Sequence, residues 1–142
     1  MKIGLTSVVG DLFHVGHLNL LKQGKKHCDF LIVGVLPDNV VGGYKRTPII
    51  PFEERKRIIE ALKIVDLVID HPLSRDTDVL LEKLWDIGIK VDVLFRGNDW
   101  LDIKGKNWIE NHGGKYVSIP YYHPQSTTKI INKIKRDETW LT

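Results

Sequence analysis

Asp11-Leu12-Phe13-His14-Val15-Gly16-His17 lies between an apolar run, Ile3 to Val9, and a segment, Leu18-Asn19-Leu20-Leu21-Lys22-Gln23, with helix-like apolar spacing. The run reads as a short buried strand and the segment as the first turns of an amphipathic helix. The two histidines therefore fall where a strand hands over to a helix N-terminus. Free backbone N–H groups and the positive end of the helix dipole make such a place an anion site. Gly16 has no Cβ, which predicts close approach of a bulky anion to the backbone. Two imidazoles beside a glycine there point to chemistry on a phosphate. A metal site built from His14, His17 and Cys28, or purely structural histidines, are the weaker alternatives.

Beyond this stretch, strand-like and helix-like segments alternate. The strand patterns are Ile3 to Val9, Phe30 to Leu36, Val65 to Ile69, Val91 to Phe95 and Tyr116 to Ile119. Helix patterns cover Leu18 to Lys26, Phe52 to Lys63, Val79 to Trp85, Asn107 to His112 and Thr127 to Lys135. Short β-branched runs separated by helices predict an α/β fold with parallel strands covered on both faces and right-handed crossovers. Ligands of such sheets bind beyond the C-terminal strand ends. That selects the loops at 8–17, 37–51, 96–105 and 120–128.

The chain has 142 residues, 42% hydrophobic and 27% charged, as expected of one globular domain spanning residues 1–142. No run approaches a membrane span of about 20 apolar residues. Met1-Lys2 leads at once into a strand, without the apolar region of a signal peptide, and the single cysteine fits a cytoplasmic setting. A net charge of +3 is too mild for a nucleic-acid binder, so phosphorylated small molecules are the expected partners.

His14-x-Gly16-His17 after a first strand resembles the signature of the HxGH nucleotidyltransferases. Four further blocks follow in order: Pro51-Phe52-Glu53-Glu54-Arg55, Val65-Asp66, Arg96-Gly97-Asn98-Asp99-Trp100 and Ser126-Thr127-Thr128-Lys129-Ile130. With them the chain is most similar to the cytidylyltransferases, in particular those acting on glycerol 3-phosphate. The resemblance implies a Rossmann-like, doubly wound parallel sheet of five strands and transfer of CMP from CTP to a small phosphorylated alcohol. It also implies Mg²⁺ accompanying the triphosphate, and a homodimer. An adenylyltransferase of the same fold and an inactive nucleotide-binding module are the competing readings.

In this chemistry the acceptor phosphate is already ionised near neutral pH, so the site supplies positioning and charge stabilisation rather than a base. The resemblance assigns catalysis to His14, His17 and Arg55, with Arg55 facing the phosphates. It assigns nucleotide or phosphate binding to Val9, Gly10, Asp11 and Gly16, to Lys45 or Arg46 in a Gly-rich loop, and to Gly97, Asp99 and Trp100. Tyr121, Ser126, Thr127 and Thr128 complete that set. Glu53 and Glu54 read as helix-start charges. Ser126 and the threonines are good N-caps whatever the function. Here they open a second helix at the same edge, for the outer phosphates.

The chain departs from the family pattern at Val8-Val9-Gly10, at Asn98 and over Tyr121-Tyr122-His123-Pro124-Gln125. In the last, an arginine, an acid and a glycine of the family are replaced. A charged contact near the base is thereby lost, which predicts a preference for CTP with a reduced margin.

Overall fold

The computed structural model of the protein describes residues 1–43 and 46–137. Five strands, β1 (Ile3–Val8), β2 (Phe30–Val35), β3 (Leu67–Asp70), β4 (Val93–Gly97) and β5 (Lys115–Ile119), form one sheet in the order β3-β2-β1-β4-β5. All pairings are parallel, as predicted. Among the described residues five helices connect them, α1 (Val15–Lys25), α2 (Asp38–Gly42), α3 (Phe52–Glu60), α4 (Asp78–Asp86) and α5 (Ile103–Asn111), and a sixth, α6 (Thr127–Arg136), follows β5.

Strand alternation divides the core into two layers. Leu5, Ile32 and Leu94 pack with Leu80, Leu81 and Leu84 of α4 and Ile109 of α5. Val8, Leu31, Val33, Val35 and Phe95 pack with Leu21 of α1 and Ile59 of α3. Gly24 lets α1 lie flat on the sheet, since a Cβ there would come within 2.0 Å of the Phe95 ring.

The chain leaves β1 for β2 and β3 on one side and returns to β4 on the other, so the strand order switches at the β1–β4 pair. The ladder between these two strands runs Gly4↔Val93 and Leu5↔Leu94 and stops well before either strand ends. Where it stops, the buried Thr6 hydroxyl donates to Phe95 O at 2.6 Å. Beyond that stitch the strand ends are unpaired with each other, which is the crevice expected at a switch point.

Three differences from the sequence expectations have local causes. α2 carries no apolar period over its five residues and was not expected. α5 begins at Ile103 rather than near Asn107, because the buried Asp102 carboxylate caps it by accepting from Gly105 N at 2.9 Å. α3 stops at Glu60, before the expected Lys63. The chain there must turn to bring Asp66 to β2, where its carboxylate accepts from Leu31 N at 2.7 Å and pairs with Lys25 at 2.6 Å.

Candidate active site

α1 is capped by its own histidines. His14 is the N-cap residue, in extended conformation, and its Nδ1 accepts from Gly16 N at 3.0 Å. His17, at the third helical position, turns its Nδ1 back to accept from His14 N at 3.2 Å. This is a capping box in which imidazoles replace the usual hydroxyl and carboxylate. Because both Nδ1 atoms accept from main-chain N–H groups, each neutral ring carries its proton on Nε2. The rings lie 3.9 Å apart between centroids, with Phe13 stacked on His17 at 5.2 Å.

His14 Nε2 lies 3.2 Å from Thr127 Oγ1, and that hydroxyl donates to Asp11 O at 2.9 Å. The hydroxyl hydrogen is thus directed at the carbonyl, and the Thr127 lone pair receives the His14 Nε2–H. Burial lowers the pKa of His14, which keeps the ring neutral and this tautomer in place near pH 7.

The space that Gly16 leaves open also has neighbours from the protein itself. A Cβ there would stand 2.7 Å from His14 Cε1 and 3.2 Å from Gln125 O. The missing side chain makes room for the imidazole and for the loop before α6, not only for an anion.

Between α1, the end of β4 and the start of α6 lies a cleft of about 300 Å³. Its α1 wall carries His14, Gly16 and His17, and its α6 wall carries Ser126, Thr127 and Thr128. Gly97 and Asp99 follow β4, Arg46 enters from the loop before α3, and Tyr121 stands on the rim. A recess of about 40 Å³, lined by Val9, Asp11, His17, Arg46 and Thr127 among others, adjoins it. Ser126 caps α6 by accepting from Lys129 N at 3.1 Å, and neither α1 nor α6 has an acid in its first turn. Two helix N-termini, one guanidinium and two Nε2–H imidazoles thus border one crevice, an arrangement built for a polyanion.

Four expected site residues have other employment. Arg55 is fully buried, and its guanidinium donates to Val9 O at 2.5 Å, Leu36 O at 3.0 Å, Ile50 O at 2.9 Å and the Asp38 carboxylate at 2.5 Å. It ties together the ends of β1 and β2 and does not face the cleft, so its catalytic assignment is corrected to a positioning one. Asp11 reaches the recess, but its carboxylate accepts from Ile49 N and Ile50 N, both at 2.9 Å. That holds in place the loop bearing Arg46. Gly10 is buried at φ +69°, with Ile59 Cδ1 2.9 Å from where a Cβ would be, so it makes a turn rather than a phosphate contact. Trp100 stacks with the guanidinium groups of Arg75 and Arg96, at 4.5 and 4.4 Å, and is not among the residues lining the cleft. Lys45 lies outside the described residues.

Asn19, Leu20, Pro120, Tyr122 and Gln125 also line the cleft. Asn19 and Leu20 stand three and four positions after Gly16, on its face of α1, so helical periodicity from the glycine identifies them. The others depend on the path of the loop after β5 and carry no local signal. Among the described residues, no group of three His, Cys, Asp or Glu side chains could hold a metal ion. No helix among them is long and apolar enough to cross a membrane.

Residues 11–133 match the model of the family described as cytidylyltransferase-like. The chain is 36% identical over 135 residues to the bifunctional protein HldE of Hyphomonas neptunium, covering 92% of this chain and 26% of that protein. It is 35% identical over 143 residues to the bifunctional protein HldE of Geobacter metallireducens, covering 95% and 27%. The chain thus spans about a quarter of the length of these curated relatives. Among solved structures, the lipopolysaccharide core biosynthesis protein from Thermoplasma volcanium superposes with a TM-score of 0.69 at 28% identity, covering 86% of this chain and 98% of that one. A putative nicotinate-nucleotide adenylyltransferase from Vibrio parahaemolyticus shares the fold, with a TM-score of 0.65 at 16% identity over 96% of this chain and 88% of that one. The chain belongs to the cytidylyltransferase-like family of nucleotidyltransferases.

Proposed function

We propose that the protein transfers a nucleotidyl group from a nucleoside triphosphate to the phosphate of a small phosphorylated polyol or sugar. The observation that carries this reading is the pair of Nε2–H imidazoles held by the α1 capping box opposite the N-terminus of α6. An oxygen of the acceptor phosphate attacks the α-phosphorus, the bond to the β-phosphate breaks, and pyrophosphate leaves with the electron pair. No proton has to be removed from the nucleophile. As charge builds on its oxygens the α-phosphate receives the Nε2–H of His17 and, in exchange for Thr127 Oγ1, that of His14, and the α6 amides with Arg46 hold the leaving pyrophosphate. Mg²⁺ belongs to this reading as part of the triphosphate substrate, whose negative charge it would offset.

A sugar phosphate gains support as acceptor from the lipopolysaccharide-core role of the Thermoplasma structure. A glycerol phosphate is the simplest member of the same chemical class. CTP is the donor of the first reading, which rests on the sequence motifs shared with the cytidylyltransferases. ATP is a second reading, favoured by the cleft rim. There Tyr121, 41% exposed, offers a ring face but no charge to the base, and its N–H is engaged by Asn98 Oδ1 at 2.9 Å. A homodimer belongs to the same proposal.

The test is pyrophosphate release, with product mass, from CTP, UTP, ATP and GTP and Mg²⁺ against glycerol 3-phosphate and a set of sugar phosphates. Turnover with one donor–acceptor pair is the expected result. No release with any pair sinks the catalytic reading and leaves a nucleotide-binding module.

A further inference from the structure

At the N-terminal edge of the sheet, the edge away from the cleft, lies another cavity of about 260 Å³, lined by Lys2, Lys26, His27, Cys28 and Lys115 among others. Strand alternation explains why these side chains meet. A Cβ on Gly4 would stand 2.6 Å from Cys28 Sγ, so Gly4 lies on the sheet face covered by α1. Lys2, two residues earlier, shares that face. Val93 pairs with Gly4 on one side and with Lys115 on the other, and residues paired in a sheet point the same way. Phe95 and Val117, two positions further along β4 and β5, pack in the same layer as Leu21 of α1. α1 ends above this point, with Lys26 as its C-cap residue and His27 next.

Ammonium groups from three separate segments thus border one hollow, and among the described residues none of Lys2, Lys26 and Lys115 forms an ion pair. Lys26 Nζ donates to the neutral Gln23 Oε1 at 3.2 Å. The carboxylates of this edge are engaged by main-chain groups: Asp29 accepts from Lys2 N and Asp92 from Ile3 N, both at 2.8 Å. Burial pushes the Cys28 thiol above its ordinary value, so it stays protonated and adds no negative charge. Nor are the lysines needed to close the end of α1. His27 N donates to Gly24 O at 2.9 Å and Cys28 N to Lys25 O at 3.3 Å.

A concave surface lined by one sign of charge concentrates its field and draws a counter-ion. The cavity falls just below the range of about 300–1,000 Å³ typical of small-molecule pockets, which selects a compact ligand. Its described lining holds no Phe, Tyr or Trp on which a nucleobase would stack. Ammonium groups bind phosphate as point charges, and three of them match an anion with charge spread over more than one phosphate.

We propose that Lys2, Lys26 and Lys115 form an anion site, separate from the cleft, that takes a compact diphosphate such as inorganic pyrophosphate. The site stands at the start of β1, β4 and β5 and the end of α1, whereas the cleft stands at the opposite ends of β4 and α1. It does not depend on the nucleotidyl-transfer reading.

The test is ¹H–¹⁵N NMR of the full chain titrated with pyrophosphate, the ionic strength held constant with sodium chloride. The His27 and Cys28 amides report the proposed site, and the Gly16 and Thr127 amides report the cleft. Saturable shifts of His27 and Cys28 are expected. Lys2→Gln combined with Lys115→Gln raises their midpoint roughly tenfold, the loss of charged contacts, and leaves the Gly16 and Thr127 midpoint at its parent value. Lys26→Gln alone moves the His27 and Cys28 midpoint in the same direction. Arg46→Gln leaves their midpoint unchanged. Inorganic phosphate in place of pyrophosphate gives a midpoint roughly tenfold higher at this site. The proposal is overturned by no saturable shift of His27 and Cys28, by a parent midpoint in the doubly substituted protein, or by shifts that weaken in Arg46→Gln together with those of the cleft. Phosphate binding as tightly as pyrophosphate overturns the choice of a diphosphate.

Discussion

His14 Nε2 and Thr127 Oγ1 are 3.2 Å apart, a hydrogen bond that joins the first helix to the last across 113 positions of sequence. The orientation of an imidazole at the start of the chain is therefore set by a hydroxyl near its end. Thr127 in turn is anchored on Asp11 O, so α6 closes over the loop that carries the histidines.

Replacing His14 or His17 with Ala is expected to lower kcat by roughly 10²–10³, the loss of a donor to the developing charge. Thr127→Val, which keeps the shape and removes the tether, is expected to cost about tenfold. Steady-state kinetics and far-UV circular dichroism are the measurements. Parent turnover in both histidine variants rules out the mechanism.

Arg55 is expected to matter for stability first. Its removal leaves the buried Leu36 carbonyl, the half-buried carbonyls of Val9 and Ile50 and the partly exposed Asp38 carboxylate without their donor. A buried acceptor left without its donor costs about 1–3 kcal/mol. Urea unfolding of Arg55→Met should show a clearly lower midpoint, whereas an unchanged midpoint with impaired triphosphate binding restores the original phosphate-facing assignment.

Arg46 is the contrasting case, since it lines both the cleft and the recess. A charge-assisted contact contributes about 1.5–3 kcal/mol, so Arg46→Gln should weaken triphosphate binding roughly 10–100-fold with little change in unfolding midpoint. Equal affinity in parent and variant makes Arg46 an ordinary loop cation.

Acidification should destabilise the fold starting near pH 6.5, the ordinary histidine value. His14 and His71 both have lowered pKa values, so below 6.5 the unfolded chain takes up protons that the folded state still refuses. Stability therefore rises with pH through this window and is fully present above it. Tm measured from pH 8 to pH 5 should fall on the acid side, with a smaller fall in His71→Phe. A flat profile in the parent protein contradicts the buried neutral rings.

Gly16→Ala should disable the site more than the fold, because its Cβ would push directly on the His14 ring, 2.7 Å from Cε1. Turnover is expected to drop at least tenfold while the Tm moves by only a few degrees. The reverse pattern would show that the glycine serves packing elsewhere.

Much of this was legible in the linear pattern. The alternation of β-branched runs and helical periods carried the five parallel strands, and the switch-point rule selected the loops that do form the cleft. The placement of His14, Gly16, His17, Asp99 and the Ser126–Thr128 turn along one cleft was readable because each lies at a strand end or helix start, fixed by neighbours within four positions. α2 and the early start of α5 were not, since a five-residue helix has no period and the Asp102 cap depends on burial by distant segments.

Chain order and local spacing were enough to establish the α/β class, the helix that opens on two histidines and the loops that meet at one sheet edge. They left the fate of individual charged and aromatic side chains open. An arginine in Pro51-Phe52-Glu53-Glu54-Arg55 looks the same whether its guanidinium meets a substrate or three carbonyls from loops up to 46 positions away. Trp100 likewise looks the same whether it meets a base or two arginines. Those outcomes, and the tautomers of His14 and His17, were settled by which groups the folded chain brought within hydrogen-bonding distance. The reason is physical: backbone period is a local property, whereas desolvation and pairing of a polar group depend on every segment that packs around it.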